Sequence, residues 1–135
     1  MLNKVMLIGN VGNMPEIRST QDGKKIASFS IATSESWKDK ITNERHRKTE
    51  WHKVVVLNQA LVNIVADLVS KGTKLYLEGS IHTRKWQDKN GNDKYTTEIV
   101  LSPFNAQIRI LDNNQNNKTE TNKVEGDVFD DEIGF

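Results

Sequence analysis

The distribution of apolar residues over the first half of the chain predicts β-strands. Residues 4–11 (KVMLIGNV) and 26–35 (IASFSIATSE) have the composition of strands, and residues 21–24 (QDGK) between them have the composition of a tight turn. Residues 50–57 (EWHKVVVL) predict a third strand, because β-branched side chains favour a pleated, partly buried surface.

The apolar spacing then changes to that of a helix. Four residues recur at i, i+3, i+4 and i+7, the spacing of one helical face: Leu61, Ile64, Val65 and Leu68. Asn58 is typical of an N-cap and Gly72 of a C-cap. The pattern therefore predicts one amphipathic helix over residues 59–71.

Strand patterning returns after this helix. Residues 73–86 place Leu75, Leu77 and Ile81 on one face. The other face is polar and aromatic: Tyr76, His82, Arg84 and Trp86. Residues 88–92 (DKNGN) predict a turn and residues 95–101 a strand that pairs back. We expect the last short run, residues 105–111, to close the sheet.

This order of elements predicts the fold class. The chain has three predicted strands, then one helix, then two or more further strands, which is the order of elements in the OB-fold. The OB-fold is a five-stranded Greek-key β-barrel that is all-β apart from one helix. The open face of this barrel binds oligonucleotides in many proteins.

Charge divides the chain at Leu111. Residues 1–111 hold 17 Lys and Arg against 11 Asp and Glu, a balance of +6, whereas residues 112–135 hold 2 against 7, a balance of −5. Residues 112–126 contain one apolar residue and no periodicity, so we expect a flexible, Asn-rich linker after the barrel domain of residues 1–111. Residues 127–135 set apolar side chains among acidic ones, which favours a disordered acidic tail that ends in a docking tip.

Three tryptophans, Trp37, Trp51 and Trp86, each lie within two residues of a lysine or arginine. Stacking a base on an exposed aromatic side chain contributes roughly 1 to 3 kcal/mol, and the neighbouring positive charge attracts phosphates. Alternation places Trp51 on one face with Lys53, and Trp86 on one face with Arg84. The alternative is that the tryptophans are core residues, because tryptophan side chains are on average largely buried in proteins.

The segment between the first two tryptophans is unusually basic. Residues 37–48 (WKDKITNERHRK) hold five Lys and Arg and few apolar side chains. This composition predicts a mobile, solvated loop that forms a basic arm between two stacking surfaces.

The residue types present argue against several classes of function. The chain has no cysteine, so disulfides and thiolate metal sites are excluded. Its three histidines fall in different predicted elements and no glycine-rich loop precedes a helix, so we expect no enzyme activity, no metal and no cofactor. Gly9 in the first predicted strand and Gly12 just after it predict a bulge or bend there. No apolar run approaches the roughly 20 residues of a membrane span and a strand pattern follows Met1 at once, so we expect a cytoplasmic protein without a leader.

Short motifs along residues 3–101 resemble the bacterial-type single-stranded DNA-binding protein (SSB) family. They are NKV and IGN within residues 3–10, ATSESW at 32–37, TEWH at 49–52, YLEG at 76–79, TRKW at 83–86 and YTTE at 95–98. The resemblance implies an OB-fold subunit, a homotetramer and sequence-independent binding of single-stranded DNA. It also implies a nucleoid-associated role in DNA replication, recombination and repair.

The resemblance also implies roles for individual residues. Trp37, Trp51 and Trp86 match the stacking tryptophans of the family. Five residues match positions where the family places positive charge near the DNA: Lys4, Lys53, Lys71, Arg84 and Lys85. Leu57 stands where many members have a stacking phenylalanine, so the resemblance implies one aromatic surface fewer and an aliphatic contact to a base.

The end of the chain resembles the family's acidic tip, which recruits replication, recombination and repair proteins. The matching residues are Asp130, Asp131, Glu132, Ile133 and Phe135. Members often end in Pro-Phe, whereas this chain ends in Gly134 and Phe135.

Two other functions fit the same residues. An RNA-binding OB-fold module would use the same stacking and phosphate contacts, because only recognition of the ribose 2′-hydroxyl separates the two polymers. A tetrameric scaffold that only presents four docking tails would tolerate alanine at all three tryptophans.

Overall fold

A computed structural model describes residues 1–111; the predicted linker and acidic tip, residues 112–126 and 127–135, lie outside the described residues. Strands make up most of the described part, and one helix lies between the fourth and fifth strands. The elements are β1 (Val5–Val11), β2 (Glu16–Ser19), β3 (Lys25–Lys38), β4 (Arg45–Val56), α1 (Gln59–Leu68), β5 (Lys74–Gln87), β6 (Asp93–Leu101) and β7 (Gln107–Ile110).

The strands close into a barrel because β1 has two partners. It pairs antiparallel with β5 from Val5 to Asn10, and with β3 at Asn10 and Val11. β3 with β4, and β5 with β6, form two long antiparallel hairpins. Residues 54–56 of β4 run parallel to residues 99–101 of β6 and complete the ring. The predicted OB-fold is confirmed.

Two short strands lie outside this ring. β7 pairs with β5, so the prediction that residues 105–111 close the sheet is wrong; the β4–β6 pairing closes it. β2 pairs with the beginning of β3. All four β2 side chains are exposed, and for that reason no apolar alternation marks this strand in the sequence.

The core fills the inside of the barrel and extends under α1. Within the barrel, strand residues of one parity point inward and form the buried core, as strand alternation requires. The largest of the fully buried side chains are Ile31, Leu75, Leu77, Leu101, Val54, Val56, Val62 and Val65.

The helix begins where the sequence predicts and ends earlier. Asn58 Oδ1 accepts a hydrogen bond from the Leu61 N–H at 3.2 Å, which confirms the N-cap. The helix ends at Leu68 because Val69 adopts an extended conformation and is buried in the core. Gly72 is therefore not the C-cap; it has a φ of 94° in the following turn and donates its N–H to Val11 O at 2.8 Å.

Both long hairpins extend past the barrel as two-stranded ribbons. In the β3–β4 ribbon (residues 33–50), pairing continues to Lys38 and Arg45, and residues 39–44 form the loop. The prediction of a mobile loop over residues 37–48 is therefore wrong, because a ribbon outside the barrel needs no apolar face. In the β5–β6 ribbon (residues 82–98), pairing continues to Gln87 and Asp93.

Ile81 lies where β5 leaves the barrel. Its parity matches that of Leu75 and Leu77, but 48% of Ile81 is exposed while those two leucines are fully buried. The three residues share one face, as predicted, but the interior of the barrel ends before Ile81. The Asn3 side chain hydrogen-bonds both the N–H and the C=O of Ile81 at 2.9 Å, so the edge of β5 is capped there.

Gly9 lies where the backbone of β1 comes close to that of β3. A Cβ atom at Gly9 would fall 2.1 Å from the carbonyl oxygen of Ala32, a distance that no real side chain tolerates. The glycine is therefore required by the approach of two backbones.

Candidate nucleic-acid interface

The three tryptophans lie on the outside of the molecule. The exposed fractions are 47% for Trp37, 61% for Trp51 and 43% for Trp86. None of the three belongs to the buried core cluster of the described residues, so the alternative that they are core residues is wrong. Each offers ring surface to a flat ligand.

Trp51 lies over the end of β1. A Cβ atom at Gly12 would fall 2.2 Å from Trp51 Cζ3, so the indole occupies the space that glycine leaves open. Trp51 pairs across the strands with Ala32, and Lys53 pairs with Ser30 on the same outward face, as alternation predicts.

The turn that carries Lys71 lies close to the same place. The Gly72 N–H donates to Val11 O at 2.8 Å, and Val11 N–H donates to Thr73 O at 2.9 Å. These bonds attach the turn to the end of β1, one residue before Gly12. Lys71 is exposed there.

Trp86 is fixed on the β5–β6 ribbon by its own indole. Its Nε1–H donates to Thr96 Oγ1 at 2.8 Å across the two strands. Arg84 shares this face and forms two hydrogen bonds to Glu98, at 3.2 Å from Nε and 3.3 Å from Nη2.

Trp37 lies on the face of the β3–β4 ribbon opposite to Trp51. The two residues differ in parity across the paired strands, since Trp37 pairs with His46 and Trp51 with Ala32. The rings of Trp37 and His46 are in contact, with centroids 5.7 Å apart and planes tilted by 32°. His46 Nε2 also lies 3.9 Å from Asp39 Oδ2 in the loop.

The basic residues predicted for the site fall into two groups. Three of them already have a carboxylate partner, with N···O distances of 3.0 Å for Lys4 and Glu78, 3.2 Å for Arg84 and Glu98, and 3.3 Å for Lys85 and Asp93. Lys53 and Lys71 are exposed and form no ion pair within residues 1–111.

Glu78 is held by two donors on the outer face of β5. The Tyr76 hydroxyl donates to its carboxylate, and Lys4 Nζ lies 3.0 Å away. The Tyr76 hydrogen bond, followed by the one from Lys4, holds the pKa of Glu78 below its usual value. The same bond to Glu78 raises the pKa of Tyr76.

Leu57 follows the last residue of β4 and is half-buried. Its N–H donates to Leu101 O at 2.8 Å. It continues the parity of Trp51 and Lys53, with the half-buried Val55 between, so an aliphatic surface extends the same outward face.

Tyr95 is a further candidate that the sequence reasoning missed. It is 66% exposed and lies directly opposite Lys85 on the β5–β6 ribbon. It has the same pairing of aromatic ring and positive charge as the tryptophans. In the sequence, the adjacent Lys94 is the feature that could have marked Tyr95 as a candidate.

The aromatic surfaces lie on exposed faces of the strands. A groove of about 490 Å³ lies between the N-terminal segment, β5 and residues 102–107, and no tryptophan lines it. Within residues 1–111 no group of three or more His, Asp or Glu is placed to hold a metal ion. No helix in that range has the length and apolar character needed to cross a membrane.

Known proteins match the chain across the barrel and both ribbons. A model of the single-strand binding protein family matches residues 2–111. The single-stranded DNA-binding protein of Rickettsia typhi is 60% identical over 120 residues, which cover 88% of this chain and 79% of that protein. That of Rickettsia prowazekii is 50% identical over 148 residues, covering 99% and 97%. A solved Plasmodium falciparum SSB complex with ssDNA is 45% identical, with a TM-score of 0.75 over 83% of this chain and 96% of that one.

Proposed function

Because the chain belongs to the single-strand binding protein family, we propose that it binds single-stranded DNA without sequence preference by stacking bases on Trp37, Trp51 and Trp86. The exposure of all three indoles on the outer surface carries this proposal. Two or three stacked bases contribute roughly 2 to 9 kcal/mol before ordering costs. A half-buried Leu57 adds an aliphatic contact.

Positive charge supplies the second part of the affinity. Lys53 and Lys71 attract phosphates directly, since neither has a carboxylate partner within residues 1–111. Lys4, Arg84 and Lys85 contribute by exchanging a carboxylate for a phosphate, which reduces their net contribution. Binding then weakens as salt rises, because each phosphate contact releases counterions.

In the cell this protein binds DNA without catalysing a reaction. It covers transient single strands, which blocks re-pairing and nuclease access, in DNA replication, recombination and repair. This role places it in the cytoplasm, with the nucleoid. The names of the relatives, and the nucleic acid in the solved complex, support DNA over RNA as the ligand.

A homotetramer accounts for an apolar patch on the outside of β1. Met6 and Ile8 point outward and more than half of each is exposed. Ile8 pairs with Tyr76 on β5, so the patch continues onto that ring, and Met6 pairs with the charged Glu78 at its border. Light scattering on the purified chain tests this assembly: a mass of four chains supports it and a monomer contradicts it.

The acidic tip completes the proposal. Residues 112–126 serve as a linker, and the tip recruits replication, recombination and repair proteins through Asp130, Asp131, Glu132, Ile133 and Phe135. The opposite charge balances of residues 1–111 and 112–135 support this division of the chain.

Intrinsic tryptophan fluorescence tests DNA binding directly. The full chain is titrated with a mixed-sequence single strand, with the same sequence as duplex, and as RNA, at two salt concentrations. We expect strong quenching by single-stranded DNA, little by duplex, and weakening with salt. Stronger quenching by RNA would favour the RNA-binding module.

A triple variant separates DNA binding from the scaffold function. Trp37→Ala, Trp51→Ala and Trp86→Ala together should abolish most oligonucleotide affinity, measured by anisotropy of a labelled single strand. Retained affinity would show that the tryptophans are dispensable and favour the scaffold that presents tails.

A further inference from the structure

The two faces of the β3–β4 ribbon differ in charge. Four basic residues share the outward face that carries Trp51, and we call them the basic stripe: Lys38, Arg45, Arg47 and Lys53. No Asp or Glu occupies a position of this parity anywhere in β3 or β4. The opposite face of the ribbon holds a mixed set: Glu35, Trp37, His46, Lys48 and Glu50.

Serine hydroxyls hold the two arginines of the stripe across the strands. Arg47 Nη2 lies 3.4 Å from Ser34 Oγ, and Arg45 Nη1 lies 3.5 Å from Ser36 Oγ. Each contact uses one of the five N–H donors of a guanidinium. The remaining donors are free to bind an oxyanion in the two-pronged geometry that suits phosphate.

The charges of the stripe are not neutralised within the described chain. In residues 1–111 none of its four members lies within ion-pair distance of a carboxylate, whereas Lys48 on the opposite face lies 3.6 Å from Glu50. Lys38 and Arg45 are direct cross-strand partners. Like charges in that position destabilise a sheet, and a bound anion would relieve the repulsion.

We infer that the basic stripe is a phosphate track for single-stranded DNA, with Arg45 and Arg47 as its principal contacts. The inference rests on the proposed function. Lys53 and Arg45 are eight residues apart on β4, so the track is about 27 Å long at the rise of a strand. A strand that stacks a base on Trp51 continues along this face toward the end of the ribbon, and it meets Trp37 only after passing around the ribbon's edge.

A pair of adjacent residues provides the matched test. Arg47→Gln and Lys48→Gln each remove one positive charge from the same strand, on opposite faces of the ribbon. The full chain and each variant are titrated with a mixed-sequence single-stranded DNA over a range of salt concentrations. Arg47→Gln should make the slope of log affinity against log salt shallower by about 0.7, the value of one phosphate contact, and Lys48→Gln should leave it unchanged.

A double variant measures the size of the effect. Arg45→Gln with Arg47→Gln should reduce the slope by about 1.4 and weaken binding at low salt by about 10-fold or more. Arg45→Lys with Arg47→Lys keeps the charge and should keep most of the slope. Thermal unfolding of each variant checks that the ribbon remains folded.

The possible results separate the two proposals. If the unaltered chain is quenched by single-stranded DNA but Arg47→Gln and Lys48→Gln have equal slopes, the track is wrong and the proposed function stands. If the unaltered chain is not quenched at all, the proposed function fails and the track fails with it. A shallower slope for Arg47→Gln alone supports the track.

Discussion

The basic side chains of this barrel differ in whether a carboxylate already holds them. Arg84 donates two hydrogen bonds to Glu98, and Lys4 and Lys85 each lie within 3.3 Å of a carboxylate oxygen. Lys53 has no such partner in the described part of the chain. A phosphate must displace a carboxylate from the first group and only water from the second, so equal charges contribute unequally to DNA affinity.

Glu98→Gln tests this difference at one residue. The substitution removes the negative charge opposite Arg84 while keeping a polar side chain at a position that is 13% exposed. We expect tighter binding of single-stranded DNA and a salt slope steeper by up to about 0.7, because Arg84 then contacts a phosphate without giving up a carboxylate. Titration at several salt concentrations measures both. Asp67→Asn on α1 removes the same charge away from the ribbons and should have a smaller effect; equal effects would contradict the argument.

Glu78 links stability to pH. The Tyr76 hydroxyl and Lys4 hold its pKa below the usual value in the folded state, so the folded protein prefers the ionised carboxylate. This contribution to stability is present above the unfolded pKa and is lost as pH falls through the folded pKa. Glu78→Gln should therefore flatten the decline in the free energy of unfolding as pH falls below the ordinary glutamate pKa of 4.5, measured with denaturant at each pH. An unchanged decline would contradict the assignment.

At the scale of elements, β1 and the two ribbons position the aromatic surfaces. Gly9 and Gly12 lie on or just after β1 and each leaves room for a different neighbour: the Ala32 backbone for Gly9 and the Trp51 ring for Gly12. The first neighbour belongs to the barrel and cannot move without breaking the sheet. The second is a side chain that can rotate.

Alanine at these two glycines should therefore have different effects. Gly12→Ala should displace the Trp51 indole, lower the quenching by single-stranded DNA and weaken binding by up to one stacked base, about 1 to 3 kcal/mol, with the barrel intact. Gly9→Ala should lower the thermal unfolding temperature, because its Cβ would meet a backbone oxygen at 2.1 Å. Fluorescence titration and thermal unfolding of both variants measure the two effects. Undiminished quenching in Gly12→Ala would contradict the packing of Trp51.

The sequence predicted elements well where burial imposes a pattern. The barrel strands and the start of α1 followed from apolar alternation and from the cap at Asn58, because one face of each must be buried. The prediction of a loop over residues 37–48 was wrong because strand pairing continues outside the barrel without an apolar face. Trp37 lies on the opposite side of the ribbon from Trp51 because of the register in which β3 pairs with β4. Amino-acid composition does not determine that register.

At the scale of the whole molecule, charge separates the barrel from the end of the chain. Residues 1–111 carry a balance of +6 and residues 112–135 one of −5. We predict that the acidic segment competes with DNA for the basic surface of residues 1–111. The net charge of +1 for the whole chain therefore understates the positive charge of residues 1–111, to which single-stranded DNA would bind.

Deleting residues 127–135 removes four acidic residues and should leave binding of single-stranded DNA unchanged or tighter, while replication and repair proteins no longer co-purify.

Two variants of full length separate charge from docking. Asp130→Asn, Asp131→Asn and Glu132→Gln together should tighten DNA binding as the deletion does, if the competition is electrostatic. Phe135→Ala should lose co-purification with DNA affinity unchanged, if the terminal ring anchors the partner. A clear loss of DNA affinity on deletion would contradict competition, because removing negative charge from a chain that binds phosphates can weaken binding only if the tip itself contacts the DNA.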